Sequence, residues 1–481
     1  MQTIAPLPVP RKSRRRWYLL GGFLLFFVGT PTAYYFFASW WADREMEAIY
    51  RETDAADPNW RWADLVAELK PPPDEANSAV QIVKVHELLK ATPFNLNAKW
   101  YTPPNEPLRF PNAKLTVENA GFLRSAFSKL DPKLLEEARR LKDMPVGRFA
   151  LDPDEIPLPP YALGRVHPPA HIAWSAAVEL LQNDAILRAE SGDIDGAAES
   201  CQALLNAIRA FKDWPVRWGQ ALRLHRQIGA VLAIERLLAQ GEIDEAMLQR
   251  LQTLLEQEIA DDGTYVGLRG ERAAAHLTYL RLREGTISFT EVINGRGGTG
   301  GANFGPLLDA FPSAILNQYP DFLRKMNEQV PAAKLKDAAR ATAMGSIEEK
   351  YRLERGVLAA FLIPGIGDAT SYTQASMRCA AAGLAAERFR LKHGFWPNDE
   401  DELMKQGLLK DVPKDPVDGQ PMRWKPTATG LVIYCPGYTR LDYGGKLNRT
   451  GNPGLNNFDI GFELWAPKSR RLPAPVIVQA Q

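Results

Sequence analysis

Histidine and cysteine are scarce in this chain, six and three among 481 residues, and that scarcity narrows the chemistry at once. Cys201, Cys379 and Cys435 allow one disulfide at most, and their spacing fits no zinc motif; they read as small buried side chains. His167 and His171 are four apart, but Pro168 and Pro169 between them break any shared helix face, and no Glu occupies the zincin position. His225 and His276 stand singly in helical patterns, as exposed or core-satisfied residues. A serine-hydrolase elbow, Gly-x-Ser-x-Gly, is missing. An excess of one charge is missing too: 58 basic residues face 57 acidic ones, so no basic stripe exists for nucleic acid. Gly295, Gly297 and Gly300 spell G-x-G-x-x-G, yet Pro306 and further loop-like sequence follow where a helix should open, and no βαβ pattern surrounds them. That stretch, 294–305, reads as a surface loop, without nucleotide. Asp399–Glu402 reads as a solvated helix start.

What the chain does have is a long apolar run near its start. Residues 1–16 form a basic tail ending Arg11-Lys-Ser-Arg-Arg-Arg16, and Trp17 to Trp41 carries no charge. A bilayer core needs about 20 such residues. Trp17 and Tyr18 at one end and Trp40 and Trp41 at the other suit the headgroup zones, while Gly21, Gly22 and Pro31 are tolerated in a membrane helix. The rival is a cleaved signal peptide, with an apolar stretch of roughly 7–15 residues ending in small side chains; here the run is longer and its exit, Phe37–Trp41, is bulky. An uncleaved single-pass anchor, 17–41, is therefore expected. Five basic residues precede it, whereas Asp43, Arg44, Glu45 and Glu47 nearly cancel after it. The positive-inside rule then leaves the N-terminus in the cytoplasm and the bulk in the periplasm, beyond the cytoplasmic (inner) membrane.

The exported part, 45% hydrophobic and 24% charged over the whole chain, has the composition of folded domains, two or three by length. Residues 42–169 read as a membrane-proximal helical region with Pro-rich loops. Its helix breaks at Asp57-Pro58, and Trp60, Trp62 and Leu65 make an amphipathic segment expected near the membrane surface. After Pro71–Pro73 a helix should carry Val80, Val83, Leu88 and Leu89 on one side. Residues 91–115 are irregular, helix resumes over Asn119–Arg140, and Asp152–Pro169 is again irregular. Residues 170–355 form a helical-hairpin body with a weak repeat: Arg188–Ala197 matches Leu237–Ala246, each with Gly between two helices and Ala opening the second. The pattern G-(D/E)-I-D-x-A resembles a tetratricopeptide turn, but the period near 49 is not the usual one of about 34. A plain hairpin bundle and a peptide-binding solenoid both remain open.

Two stretches resemble known families. Asp57–Leu65 with Glu75–Ala79 is similar to the start of a group of membrane-anchored bacterial proteins of planctomycete type, which implies no activity. Residues 356–467 resemble the head of the major (G-type) pseudopilin of type II secretion. The resemblance runs through Gly356–Pro364, the Ala-rich Ala380–Glu387, Phe389–Pro397, Lys414–Pro421, Leu431–Gly437, Asp442–Gly445 and Phe458–Ile460. It implies a helix with a small antiparallel sheet packed across it. The residues agree: Ala380, Leu384 and Phe389 share a helical face, His393-Gly394 ends it, and a short helix runs from Pro397 to Leu408. Met422–Trp424, Leu431–Tyr434 and Ile460–Trp465 read as strands. The resemblance also implies a calcium ion in the last loop, with Asp442 and Asp459 in matching places. The next acidic position is replaced by Tyr438-Thr439, and the loop is lengthened by Lys446–Asn456; the alternative is a loop pinned by backbone hydrogen bonds with Asp459 capping a turn. Ser346–Arg355 is charged where a pseudopilin has its cleavage site, so a pilin head on a separate anchor is expected, not a filament subunit. Residues 468–481 read as a disordered tail.

Together these features point to a mainly α protein with one transmembrane helix and a C-terminal α+β module. The expected function is a non-catalytic envelope scaffold binding protein partners. An accessory component of a pseudopilus-like secretion system and an enzyme with its site in the helical body are the alternatives.

Overall fold

Through its described residues the charge-free N-terminal run is helical, which pairs its backbone polar groups within the segment. A computed structural model describes residues 18, 21–23, 25–90, 109–154, 169–294, 305–310, 312–351, 366–437, 440–447, 449 and 457–475. The basic tail, most of the irregular stretch 91–115, His167, the Gly-rich loop, the apolar Gly356–Pro364 and residues 476–481 lie outside them. A π-helical turn, Leu25–Gly29, leads into α1, Thr30–Ala56. Among the described residues one helix, Gly21–Ala56, is long and apolar enough to cross a membrane. Its first half leaves Phe26, Tyr34, Phe36, Phe37, Trp40 and Trp41 exposed, whereas Ala42, Met46, Ile49 and Thr53 are buried. The buried set recurs at four-three-four spacing, the seam of a helix packed against another.

The helix ends where expected, at Asp57-Pro58, with the Asp57 N–H donating to Thr53 O at 2.8 Å. Beyond that break the chain departs from the sequence-based expectation in three places. Trp60 and Trp62 do not lie on the membrane surface; both are buried, Trp62 and Leu65 of α2 (Trp62–Glu68) in the main core and Trp60 against α1. In α3 (Ser78–Lys90) the inner face is Ala79, Ile82 and Val85, leaving Val80 and Val83 exposed. Asn119–Arg140 is not one helix but two, α4 (Val117–Phe127) and α5 (Pro132–Arg139). Asp131 caps α5 by accepting from Lys133 N at 2.9 Å, and Pro132 opens it, a start signal that overrides continuous helical periodicity.

The body is a stack of antiparallel helices: α6 (Pro169–Ser191), α7 (Ile194–Arg209), α8 (Arg217–Gln240), α9 (Glu245–Ala260) and α10 (Thr264–Glu284). The two copies of the repeat are the turns α6–α7 and α8–α9. Each pairs a long helix of 23 or 24 residues with one of 16, longer than a tetratricopeptide unit of about 34 residues in all. The caps differ: Asp193 receives Gly196 N at 3.0 Å, while Asp244, aligned with Asp195, receives Met247 N at 2.7 Å. Short helices α11 (Phe289–Asn294), α12 (Gly305–Ala310) and α13 (Ser313–Leu316) lead to α14 (Tyr319–Ala332) and α15 (Asp337–Lys350).

The C-terminal unit is a 28-residue helix, α16 (Ile366–His393), then short α17 (Glu400–Lys405), then strands β1 (Arg423–Pro426), β2 (Gly430–Cys435) and β3 (Ile460–Trp465). The sheet is antiparallel in the order β1-β2-β3. Ala375, Ala380, Ala382, Ala385 and Ala386 are buried along α16, and small side chains let α8, α9 and β3 come close. One hydrophobic core runs from α2 through the hairpins into α16 and the sheet; a second, smaller core joins α1 to α10 and α14. The supposed disordered tail is ordered through residue 475. Lys114 N donates to Leu472 O at 2.8 Å, and Leu472 N to Asn112 O at 2.7 Å, so the segment forms a strap across the body.

Two glycines test the packing. A Cβ on Gly383 of α16 would sit 2.6 Å from the fully buried Phe462 ring, whereas Gly121 of α4 has nothing within 4 Å. Gly383→Ala is expected to destabilise by roughly 1–3 kcal/mol through overpacking, and Gly121→Ala to stabilise by up to about 1 kcal/mol through helix propensity. Thermal unfolding of the two variants checks the opposite signs.

Candidate functional site

Charged and aromatic side chains of the described residues converge most densely where α1 meets the body. The face of α10 supplies Arg269, Arg272, His276, Tyr279 and Arg283 at three-four spacing, so one helical stripe turns toward α1. Arg269 grips Asp57 with two hydrogen bonds of 2.8 Å and reaches Glu68 at 2.7 Å. Arg272 joins the same carboxylate at 2.5 Å and donates to Asn327 Oδ1 at 3.1 Å. Asn327 in turn donates to Thr53 at 2.7 Å. Burial alone would raise the Asp57 carboxyl, but the guanidiniums of Arg269 and Arg272 hold it below the usual carboxylate range. Trp60 lies between two cations, Arg61 at 5.1 Å and Arg272 at 5.3 Å from its ring, and its indole N–H donates to Asp54 at 2.8 Å.

His276 sits inside this cluster. Its Nδ1 is 3.2 Å from the Tyr319 hydroxyl, its ring centroid lies 4.7 Å from that of Trp60, and Tyr279 stacks on Tyr319 at 4.1 Å. Burial pushes the imidazole down to about 4; Arg61 lowers it further and Asp54 opposes. The ring is therefore neutral at pH 7, and its polar contact is made by a hydroxyl within the protein. With every carboxylate of the cluster already paired to a guanidinium, the arrangement works as a clasp on α1. The other described histidines do not join it: His171 is half-buried, edge-on to Trp218 at 5.4 Å, His225 is exposed, and His86 and His393 are half-buried. Among the described residues no group of three or more His, Cys, Asp or Glu is placed to hold a metal.

The structure does bring Asp442 and Asp459 together. The carboxylate of Asp459, 2% exposed, accepts Tyr443 N at 3.1 Å and Gly445 N at 2.7 Å. Asp442 accepts Gly444 N at 2.7 Å and pairs with Arg423 at 2.6 Å. Burial raises the Asp459 carboxyl above its ordinary value although these N–H groups pull the other way. Calcium takes roughly six to eight oxygen ligands; among the described residues, N–H groups, the Arg423 guanidinium and the Tyr434 hydroxyl meet these two carboxylates, and most of the lengthening Lys446–Asn456 lies outside them. Arg423, a cation on the neighbouring strand, was not foreseeable from the loop sequence.

Fully buried charges elsewhere were missed by pattern reading. Arg223 meets Glu258 at 2.7 Å, and Gln227 shares that carboxylate at 2.7 Å. Glu190 accepts from Arg236 at 3.1 Å and from Leu115 N at 2.9 Å. The only local signal is a charged residue on an apolar helix face. Comparison with known protein families, curated proteins and solved structures finds no match for this chain.

Two outcomes test the site. An unfolded histidine takes a proton near pH 6.5, while folded His276 refuses one until about 4. The neutral ring's contribution, on the order of 3 kcal/mol, is thus complete above pH 6.5 and lost as pH falls toward 4. His276→Gln should flatten that part of the melting temperature against pH, measured on the full-length protein in detergent. For the loop, Asp459→Ala should cost roughly 2–4 kcal/mol by stranding buried donors, and millimolar calcium should leave the wild-type melting temperature unchanged.

Proposed function

We propose that this protein is a single-pass, membrane-anchored scaffold of the cell envelope that holds protein partners and carries out no catalysis of its own. The observation that carries the reading is α1: one helix passes without a break from an exposed apolar stretch into a buried seam. An aqueous surface would not keep so many aromatic rings exposed along one helix, whereas lipid solvates them. The basic residues before the run favour an N-terminus in the cytoplasm and a periplasmic body, at the inner membrane of a Gram-negative-type cell. The body then offers rigid helical hairpins for recognition, with no constellation among its described residues that calls for a reaction.

A second reading, an accessory part of a pseudopilus-like system, draws support from the α16–sheet unit. Its strands follow the expected order, and β1 is an edge strand with Lys425 and Pro426 exposed, a surface open to strand or pilin-like contacts. Removing everything after Arg355 would take α16 out of the main core, so truncation is a poor test. A photo-crosslinking residue at Gln249 on α9 or at Ala428 in the β1–β2 turn keeps the fold. Capture of envelope proteins from Gln249 supports the scaffold body; capture of pilin or secretion subunits from Ala428 alone moves the second reading forward. Absence of protein adducts at both positions would remove the scaffold reading.

A further inference from the structure

The seam of α1 that faces the body does not stop at the end of the apolar run. Continued toward the N-terminus at the same three-four spacing it reaches Ser39 and Tyr35, and both have partners on the body. The Tyr35 hydroxyl lies 2.6 Å from Ser313 Oγ, and Asn317 Nδ2 donates to Ser39 Oγ at 3.4 Å. Tyr35 is six residues before Trp41, about 9 Å further along a helix that rises 1.5 Å per residue. If Trp40 and Trp41 mark the headgroup level, α13 lies below it.

The described residues brought there carry few charges: 286–294, 305–310 and 312–317 hold two, Glu291 and Asp309. Glu291 is tied to Ser288 N at 2.7 Å and Ser288 Oγ at 3.0 Å. Asp309 accepts Phe289 N at 2.6 Å and the Thr290 hydroxyl at 2.5 Å. Both carboxylates are exposed, and each is spent on local donors that cap α11, so neither is left unpaired at the headgroup boundary. On α12, Pro306, Asp309 and Ala310 are exposed and Leu308 half-exposed, and Ser313 commits its hydroxyl to Tyr35. Above this level the polar pairs begin: Arg283 with Asp43 at 3.0 Å, and Arg324 with Glu45 at 3.3 Å.

We propose that α12 and α13 form a lipid-embedded foot, seated in the outer leaflet beside α1, so that the body touches the membrane directly and is held at a fixed tilt. The occupant of its exposed face is the headgroup–acyl boundary of the bilayer. This rests on the reading of α1 as a membrane anchor, and the test separates the two.

Cys201, Cys379 and Cys435 are buried, so an introduced surface cysteine can be labelled selectively in the full-length protein. Nitroxide labels at Pro306→Cys and Ala310→Cys are compared with Phe26→Cys in the anchor and Ala428→Cys in the β1–β2 turn. Each protein is reconstituted in phosphatidylethanolamine–phosphatidylglycerol vesicles, with a water-soluble nickel chelate on both faces. The expected result is oxygen collision at 306 and 310 approaching that at 26, and nickel collision several-fold lower than at 428. Nickel access at 306 and 310 equal to 428, with 26 still lipid-exposed, overturns the foot and leaves the anchor. Water access at 26 overturns the anchor itself. Shielding of 306 and 310 from both reagents, as a protein contact would give, also overturns the foot.

Discussion

A single helix with an exposed apolar half and a half that packs into the body organises the rest of this protein. Before Trp41 α1 carries no charge and exposes aromatic rings; after it, one stripe is buried and charged side chains appear on the rest. No linker separates the two halves, so rotation of one is rotation of the other. The body must therefore grip α1 firmly enough to resist the leverage of a rigid rod, and hydrophobic packing alone is non-directional. The clasp at Asp57 answers that need. A carboxylate at the C-terminal end of the helix would be unfavourable against the helix dipole, yet here Arg269 and Arg272 of α10 approach it from the body and reverse the sign. Position in three dimensions is fixed by directed bonds between charges, while Met46, Ile49 and Trp60 exclude water around them.

Closure of the body depends on the opposite end of the chain. Arg471 donates to the carbonyls of Ala189 and Glu190 at 2.9 and 2.8 Å, the last turn of α6; Arg470 donates to Gly241 O at 2.9 Å, just past α8. These are the two repeat turns. Helix C-termini leave carbonyls without intrahelical partners, and two consecutive arginines of the strap supply donors to both, each matched to the local negative end of the dipole. Arg470 also meets the buried Glu387 of α16 at 2.6 Å. The strap thus ties first hairpin, second hairpin and C-terminal helix in one network. The resemblance between the turns has a structural use: each turn exposes carbonyls toward the same two-residue clamp.

Local grammar was readable, and long-range pairing was not. The stop at Asp57-Pro58, the Gly-containing hairpin turns, the cap at Asp399 and strand Ile460–Trp465 follow from residues within a few positions of one another, where sterics and capping decide. The misread elements share a different cause. Val80 and Val83 look like an inner face by hydrophobicity, but α5 and α6 approach from the side of Ile82 and Val85. Leu472 carries no local signal of its pairing with Ala113, more than three hundred residues away. For the sites, only the resemblance to the pseudopilin loop singled out Asp442 and Asp459 together, while Arg423 was invisible without the β1–β2 register. His276 reads from sequence only as exposed or core-satisfied, and nothing around it names Trp60 or Tyr319 as its neighbours.

The buried charges bear on how a single fold is specified. Replacing an ion pair such as Arg223–Glu258 by apolar residues is often neutral or stabilising, because desolvation offsets much of the attraction. A chain that needed only stability would have little reason to bury Glu190, Glu235, Glu258 and Glu387, each with an arginine. What such pairs add is geometric specificity: a helix slipped by one turn strands two charges at once, so competing registers are disfavoured. All four lie where two or more segments distant in sequence meet, at α6–α8, α8–Arg449, α8–α9 and α16–strap. Each of the four glutamates is held by an arginine, and these pairs are committed to holding the helices in register.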